Sequence, residues 1–222
     1  MSEQYKFAYL GGTGEIIEKK SRFIATVEPV HSEEEALAFV ERIRKQYWDA
    51  RHNCTAFTIG NRHQLTRCSD DGEPAGTAGR PMLEVLLGED VHDVAVVVTR
   101  YFGGTLLGTG GLVRAYSKAV QEGLRNAVIL DKRKAVRLEI RTDYNGIGKI
   151  QYLLGQNQIA VLHSEYTDSV CLEALVPCDL LNTLTSAITD STGGRARLTA
   201  GDPCWYAILE GEVLLFNEEE ST

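Results

Sequence analysis

Long apolar segments are absent from this 222-residue sequence, and so are the features that direct export. No apolar run approaches the ~18–20 residues of a transmembrane helix, which excludes a protein that crosses a membrane with helices. Residues 1–6 contain no basic stretch followed by an apolar one, so we expect no secretory signal. These absences predict a cytoplasmic protein without a membrane partner.

Cysteine is present in no arrangement that carries recognisable chemistry. The five cysteines form no C-x-x-C pair and match no zinc-binding spacing: Cys54, Cys68, Cys171, Cys178 and Cys204. An odd number of cysteines without a signal peptide is typical of reduced thiols in the cytosol. We therefore expect no disulfide, no metal ion and no cofactor.

Motifs of the common enzyme classes are also missing. The sequence contains no G-x-S-x-G elbow, no H-E-x-x-H pair and no protein-kinase motif set. His52 directly precedes a predicted strand and could serve a site. The other histidines are predicted at loop or surface positions: His31, His63, His92 and His163. The sequence therefore favours a non-catalytic protein.

Positive charge is scarce, with 23 basic against 31 acidic residues and a net charge of −8. Residues 1–130 carry 15 basic and 17 acidic residues, or −2, and the remainder carries 8 and 14, or −6. Affinity for phosphate backbones comes mainly from clustered Lys and Arg. Any role in nucleic-acid binding therefore needs a local basic patch, which fits the first part more easily.

The pattern of apolar residues predicts an α+β protein with two domains, at residues 1–130 and 134–210. The charged run Asp131–Lys134 is typical of a linker, and residues 211–222 are predicted to be an acidic tail. In the first domain, a capping box at Ser32–Glu35 predicts a helix, and Val94–Val98 predicts a buried strand.

The second domain is predicted to alternate strands and helices in a βαββαβ order. The predicted elements are strand 135–142, helix 145–156, strand 159–167, strand 169–177, helix 179–192 and strand 195–209. This order is that of the ferredoxin-like split unit.

An unusual acidic loop spans residues 69–81, with three acids, three glycines and two prolines in 13 residues. It ends at a predicted helix start, where free N–H groups point outward. A tight connection explains the same composition, and paired carboxylates can also hold a cation or exchange protons. The candidate binding residues of this loop are Asp70, Asp71, Glu73 and Gly76.

A glycine-rich segment spans residues 100–114, where a buried strand leads into the start of a long helix. A helix N-terminus behind glycines is typical of anion binding, whereas close packing of the helix on the sheet is the alternative explanation. The segment lacks the Lys-Ser/Thr of a P-loop and the glycine at 113 of a dinucleotide fingerprint. The candidate binding residues here are Arg100, Gly103, Gly104, Gly108, Gly110, Gly111, Arg114 and Lys118.

The two segments together resemble the signature of the Impact family, whose bacterial members are called YigZ-like proteins. The sequences SDDGEPAGTAGRP at 69–81 and VTRYFGGTLLGTGGLVRAYS at 98–117 carry the resemblance, and Ser21–Phe23 and Arg51–Cys54 also fit it. The resemblance covers essentially the whole chain. It implies a first domain with the β-α-β fold of ribosomal protein S5 domain 2. It implies a second domain similar to a ferredoxin-like C-terminal domain of elongation factor G.

The resemblance also implies a role in translation, since eukaryotic relatives act in translational control by binding a regulator of the kinase that senses amino-acid starvation. Those relatives carry a different accessory domain, which is absent here. Our leading hypothesis is a non-catalytic translation regulator or accessory factor that binds RNA, the ribosome or a translation-associated protein. The alternatives are an enzyme acting on a small phosphorylated or carboxylated substrate, and a protein–protein adaptor. We expect one cleft for an anionic ligand between residues 70–79 and 103–111, with Asp70 and Asp71 orienting Arg100 or Arg114 or holding a cation.

Overall fold

The computed structural model describes residues 4–216, which divide into two compact units, residues 5–131 and the part that begins at Lys132. The helices are α1 (Glu33–Gln46), α2 (Gly79–Gly88), α3 (Thr109–Arg125), α4 (Ile147–Gln156) and α5 (Leu181–Thr192). The strands are β1 (Gln4–Leu10), β2 (Gly12–Glu18), β3 (Ser21–Pro29), β4 (His52–Ile59), β5 (Leu65–Ser69), β6 (Val91–His92), β7 (Val94–Tyr101), β8 (Val128–Thr142), β9 (Ala160–Tyr166), β10 (Val170–Pro177), β11 (Arg197–Leu209) and β12 (Glu212–Phe216). The predicted α+β class and two-domain arrangement are confirmed.

The N-terminal unit is built on an antiparallel sheet in the order β2-β3-β7-β4-β5. Its central strand β7 is apolar on both faces because helices cover both. Ala95 and Val97 pack toward α1, whereas Val96 and Val98 pack toward α2 and α3. The predicted β-α-β arrangement is present as β3, α1 and β4, since both strands run antiparallel to β7 between them.

Helix α1 begins where the capping box predicts it. The Ser32 hydroxyl accepts a hydrogen bond from the Glu35 backbone N–H at 3.2 Å, and the Glu35 carboxylate accepts one from the His31 N–H at 2.8 Å. These bonds satisfy two N–H groups that would otherwise lack partners at the helix start. Phe39 and Ile43 then bury the apolar stripe of the helix against the sheet.

The C-terminal unit has the predicted βαββαβ order, formed by β8, α4, β9, β10, α5 and β11. Its antiparallel pairings give the strand order β9-β10-β8-β11. The third strand of the unit therefore lies between the first and second, which is the ferredoxin-like split arrangement. Leu138, Ile140 and Leu172 of the sheet pack with Ile150 and Leu184 of the helices in one core.

Two predictions about the ends of the second domain are wrong. The charged run Asp131–Lys134 is no linker, because it lies inside the continuous strand β8, where Lys132 is 3% exposed. The predicted tail begins with a strand, because β12 pairs with β11 from Glu212↔Leu209 to Phe216↔Trp205. Residues 217–222, which include the acidic residues 218–220, lie outside the described part of the chain.

Between residues 4 and 216, no helix is long and apolar enough to cross a membrane. The longest of the described helices, α3, has 17 residues and carries charged side chains along one face. The predicted cytoplasmic location is untested by this observation and stays a prediction.

Trypsin should leave residues 131–134 intact in the native protein, although Lys132, Arg133 and Lys134 are all cleavage sites by sequence. The protection follows because this part of β8 pairs with β11, so that local opening must break a sheet. Arg62, exposed in the turn between β4 and β5, is the matched site for early cleavage. Mass spectrometry of short digests that finds the first cuts at 132–134 would contradict this account.

Candidate functional site

Two clefts in the N-terminal unit contain candidate residues. The glycine-rich loop, residues 102–108 between β7 and α3, contributes to both. The Arg100 cleft, of about 630 Å³, is lined by Asp49, Arg51, His52, Arg100, Tyr101, Phe102 and Leu106. The Arg114 cleft, of about 260 Å³, is lined by Ile16, Glu18, Lys19, Leu107, Gly111, Arg114, Ala115 and Lys118. Consecutive residues Leu106 and Leu107 thus face different clefts.

Arg100 lies near the end of the central strand β7 and is 7% exposed. Its Nη1 donates to Oε1 of Glu73 at 2.5 Å, while its guanidinium lies 5.4 Å from the Phe23 ring and 5.7 Å from the Phe102 ring. Nε of Arg100 is buried and has no acceptor among the described residues. A buried cation is costly unless it is paired, so Glu73 fixes this side chain in place.

Glu73 is the centre of a buried network that connects the acidic loop to the sheet and to α3. Oε1 of Glu73 also accepts from the Tyr116 hydroxyl at 2.8 Å, and Sγ of Cys54 lies 3.3 Å from that hydroxyl. Burial raises the pKa of the Cys54 thiol to about 12, with Tyr116 acting in the opposite direction. Cys54 is therefore a protonated structural thiol, because the thiolate is the nucleophilic form.

Asp70 organises the acidic loop through backbone groups. Its carboxylate accepts from the N–H groups of Gly76 at 2.8 Å, Ala78 at 3.0 Å and Gly79 at 2.8 Å. Partial burial opposes ionisation, but these three donors outweigh it and hold the pKa of Asp70 below its usual value. Asp70 thus caps the start of α2, and the N–H groups expected to face a ligand are already satisfied.

Asp71 connects the same loop to α1 and β4. Its carboxylate accepts from the Asn53 N–H at 2.7 Å and from Nη2 of Arg44 at 2.9 Å. Asp71 and Gly72 have φ values of 43° and 83°, and the Glu73 N–H donates to the Asp70 carbonyl at 2.9 Å. This is a turn of type I′, for which Asp-Gly is a preferred pair. The tight-connection explanation of this loop thus accounts for both aspartates.

The glycines of residues 100–114 are explained by two different features: a lack of space for a side chain at some positions and a positive φ at others. Gly103 packs against its own chain, because a Cβ there would lie 2.0 Å from the carbonyl carbon of Lys20. Gly104 and Gly108 have φ values of 84° and 72°, a conformation that glycine adopts without strain. A Cβ at Gly110 would meet only Arg114, at 3.6 Å, whereas one at Gly111 would lie 3.0 Å from Cβ of Leu107.

The Arg114 cleft contains three cations, Lys19, Arg114 and Lys118. Within residues 4–216, none of the three forms an ion pair, so the charge of this cleft is balanced there only by Glu18 among the lining residues. The cleft lies along the first turns of α3, whose N-cap residue Gly108 offers no side chain to the first N–H groups. Cations and a helix start together can hold an anionic group.

The Arg100 cleft contains residues that the sequence analysis did not select. Phe102 and Leu106 are 54% and 82% exposed, and Arg51 is exposed beside them without an ion pair to another described residue. The Tyr101 hydroxyl donates to Asp49 at 2.7 Å, and desolvation together with this bond raises the pKa of Tyr101 to about 12. The sequence feature that could have identified these residues is the presence of large apolar side chains in a loop directly after a buried strand.

The structure changes two details of the predicted site. The residues expected around one cleft are divided between two, with Arg100 in one and Gly111, Arg114 and Lys118 in the other. The carboxylate that orients Arg100 is Glu73, so the expectation that Asp70 or Asp71 would do so is wrong. Whether either cleft binds a ligand stays a prediction.

The N-terminal unit combines the acidic loop of residues 69–81 with a glycine-rich start of helix α3, and this combination identifies a protein family. Residues 19–124 match the Impact N-terminal domain, and residues 140–195 match a domain of unknown function (DUF1949). The chain belongs to the IMPACT family.

Curated relatives match most of the chain. The IMPACT family member YvyE of Bacillus subtilis is 40% identical over 191 residues, which is 86% of this chain and 88% of that protein. The IMPACT family member YigZ of Escherichia coli is 40% identical over 184 residues, 82% of this chain and 90% of that protein. A solved structure described as that of a hypothetical protein is 37% identical, has a TM-score of 0.57, and covers 91% of this chain and 99% of its own.

Glu73→Gln should lower the free energy of unfolding by about 3–5 kcal/mol, because it leaves Arg100 as a buried charge without its anion. Urea denaturation followed by circular dichroism measures this loss. Glu84→Gln is the matched control, since Glu84 forms an exposed pair with Arg80 on the surface of α2 and should change little. Equal effects of the two substitutions would contradict the role of the buried pair.

Asp70→Asn should destabilise the protein at neutral pH, by about 1.5–3 kcal/mol if one charge-assisted hydrogen bond is lost. Because the pKa of Asp70 is lowered in the folded state, its stabilisation is present above the unfolded value of about 3.9 and is lost as pH falls through the folded value. The difference between wild type and variant should therefore shrink below about pH 4. A difference that stays constant from pH 7 to pH 3 would contradict the assignment.

Proposed function

We propose that this protein is a non-catalytic translation factor whose N-terminal unit binds single-stranded RNA. The observation that carries the proposal is an exposed Phe102 on one side of the loop and, on the other, cations that form no ion pair within residues 4–216. Proteins that hold single strands combine aromatic faces for the bases with cations for the phosphates. Membership of the IMPACT family supports the connection with translation.

The relatives support the connection with translation only through their membership of the IMPACT family. Proteins named IMPACT include a homolog in Dictyostelium discoideum, 38% identical over 97 residues, and IMPACT-A of Xenopus tropicalis, 36% identical over 98 residues. Each match spans 42% of this chain and 28–30% of the relative. The region shared with these eukaryotic relatives is thus shorter than the N-terminal unit, which spans residues 5–131 and contains both clefts.

The distribution of charged residues restricts RNA binding to one part of the surface. The chain has a net charge of −8, so the surface as a whole repels a phosphate backbone. Lys19, Arg114 and Lys118 are a local exception, next to the first turns of α3. Arg51, in the neighbouring Arg100 cleft, is a fourth cation without an ion pair to another described residue. A strand of RNA that follows the glycine-rich loop would place phosphates near these cations and a base on Phe102.

The carboxylates of the acidic loop argue against the enzyme alternative. Asp70, Asp71 and Glu73 all accept hydrogen bonds from protein donors, at 2.5–3.0 Å. Both oxygens of Asp70, both of Asp71 and Oε1 of Glu73 therefore hold the loop, the strand end and α3 together. A carboxylate that holds a substrate or a catalytic metal needs to be available to it.

Arg114→Ala should weaken binding of a labelled single-stranded RNA of about 12 nucleotides. The cost should be about 1.5–3 kcal/mol if Arg114 makes a charge-assisted phosphate contact. The slope of log affinity against log salt should become shallower by about 0.7–0.9. Phe102→Ala should cost about 1–3 kcal/mol through lost stacking and leave the salt slope unchanged. Fluorescence anisotropy over a range of salt concentrations measures both quantities.

Arg80→Ala is the matched control, because Arg80 is exposed on α2, lines neither cleft and changes net charge equally. Gly110→Val adds bulk where the chain has room and should weaken RNA binding without unfolding the protein. The proposal fails if wild type does not bind RNA at moderate salt. It also fails if Arg114→Ala and Phe102→Ala bind as tightly as Arg80→Ala.

A further inference from the structure

Three side chains outside both clefts meet in the N-terminal unit. His63 lies in the turn between β4 and β5, Asp90 follows α2, and His92 ends β6. Nε2 of His63 lies 3.3 Å from Oδ1 of Asp90, and Nε2 of His92 lies 3.2 Å from the same oxygen. Each of the three residues offers one potential ligand atom, and these atoms all lie within 4.8 Å of one another. The surface position expected for His92 is wrong, since this residue is 3% exposed.

The hydrogen bond on the far side of His92 fixes the proton on its ring. Nδ1 of His92 lies 2.9 Å from the carbonyl oxygen of Gly60, and a carbonyl can only accept. Nδ1 therefore carries hydrogen, and in the neutral ring Nε2 presents its lone pair to Asp90. Two acceptor atoms 3.2 Å apart repel unless a cation lies between them. The geometry thus requires either a proton or a metal ion at this place.

The distances fit a metal ion. Zinc binds histidine nitrogen at about 2.0–2.1 Å and carboxylate oxygen at about 2.0–2.2 Å, usually with tetrahedral geometry. Ligand atoms at the corners of such a tetrahedron are roughly 3.3–3.4 Å apart, close to the observed 3.2 and 3.3 Å. We propose that His63, Asp90 and His92 form a binding site for a divalent transition metal ion such as zinc.

The surroundings of the two histidines support ligation. Nδ1 of His63 lies 2.6 Å from Oγ1 of Thr58, and the Gly60 loop that holds His92 is itself fixed by a 2.8 Å bond from the Gly60 N–H to Asp93. Outer partners of this kind orient metal-binding imidazoles. The side chain of Asp90 is 68% exposed, so an ion could enter from solvent and keep a water as fourth ligand.

The two imidazole rings are stacked, with centroids 3.8 Å apart and an interplanar angle of 12°. Two imidazolium rings at this distance would repel each other. Neutral rings are the form that binds metal. Both lone pairs can point at one ion only if the rings tilt apart, and His63, whose side chain is 19% exposed against 4% for His92, is the less enclosed of the two.

Titration of the reduced full-length chain with Co(II), followed by competition with Zn(II), tests the site. We expect one ion per chain and visible d–d absorption without the near-ultraviolet band of thiolate ligation. Asp90→Asn and His63→Asn should each weaken binding by at least about tenfold. Both positions have positive φ, 54° and 52°, which asparagine tolerates, so both variants should fold.

His163→Asn is the matched control, an exposed histidine of the C-terminal unit, and should bind as wild type does. Zn(II) should raise the melting temperature of wild type and the control but not of the two site variants. The proposal is overturned by a thiolate band or by the absence of saturable binding. It is also overturned if the two site variants retain wild-type affinity, or if His163→Asn weakens binding as much as they do.

Discussion

The ion pair between Arg100 and Glu73 is the interaction on which the N-terminal unit depends. It joins the end of the central strand to a loop 27 residues earlier in the chain, and Tyr116 brings α3 into the same network. Because both charged groups are buried, each is costly without the other, and the two segments must fold together. Phe102, which begins the loop after β7, lies against the guanidinium that this ion pair holds in place. The buried pair thus supports the candidate site from within the fold.

Local signals were sufficient for much of the fold. The Ser32 cap, the doubly covered β7 and the βαββαβ order follow from hydrogen-bonding and periodicity rules that act over a few residues. The prediction of a linker at residues 131–134 was wrong because it used only their charged composition, which is typical of linkers. Lys132 is instead buried in β8, with Nζ 4.8 Å from the ring of Phe216. A contact between two residues that are 84 positions apart cannot be inferred from the local sequence around either of them.

The candidate site was predictable as a set of segments but not as a set of contacts. Acid-rich and glycine-rich motifs identified the two loops, and both lie in the N-terminal unit. Which carboxylate meets Arg100, however, depends on long-range packing, and the prediction from sequence named Asp70 and Asp71 for this role instead of Glu73. The first satisfies backbone donors, the second holds Arg44 and the third is buried with Arg100. Phe102 and Leu106 were missed because aromatic and aliphatic residues near strand ends usually belong to the core.

We propose that the surface around the glycine-rich loop is the RNA-binding face of an otherwise acidic protein. Ultraviolet crosslinking of the full-length protein to RNA in living cells, with mass spectrometry of the linked peptides, tests this claim most directly. The account predicts crosslinks within residues 100–118, concentrated at Tyr101 and Phe102, because bases that stack on aromatic rings lie close enough to react. Crosslinks confined to the C-terminal unit, or none above the level of a protein that does not bind RNA, would contradict it.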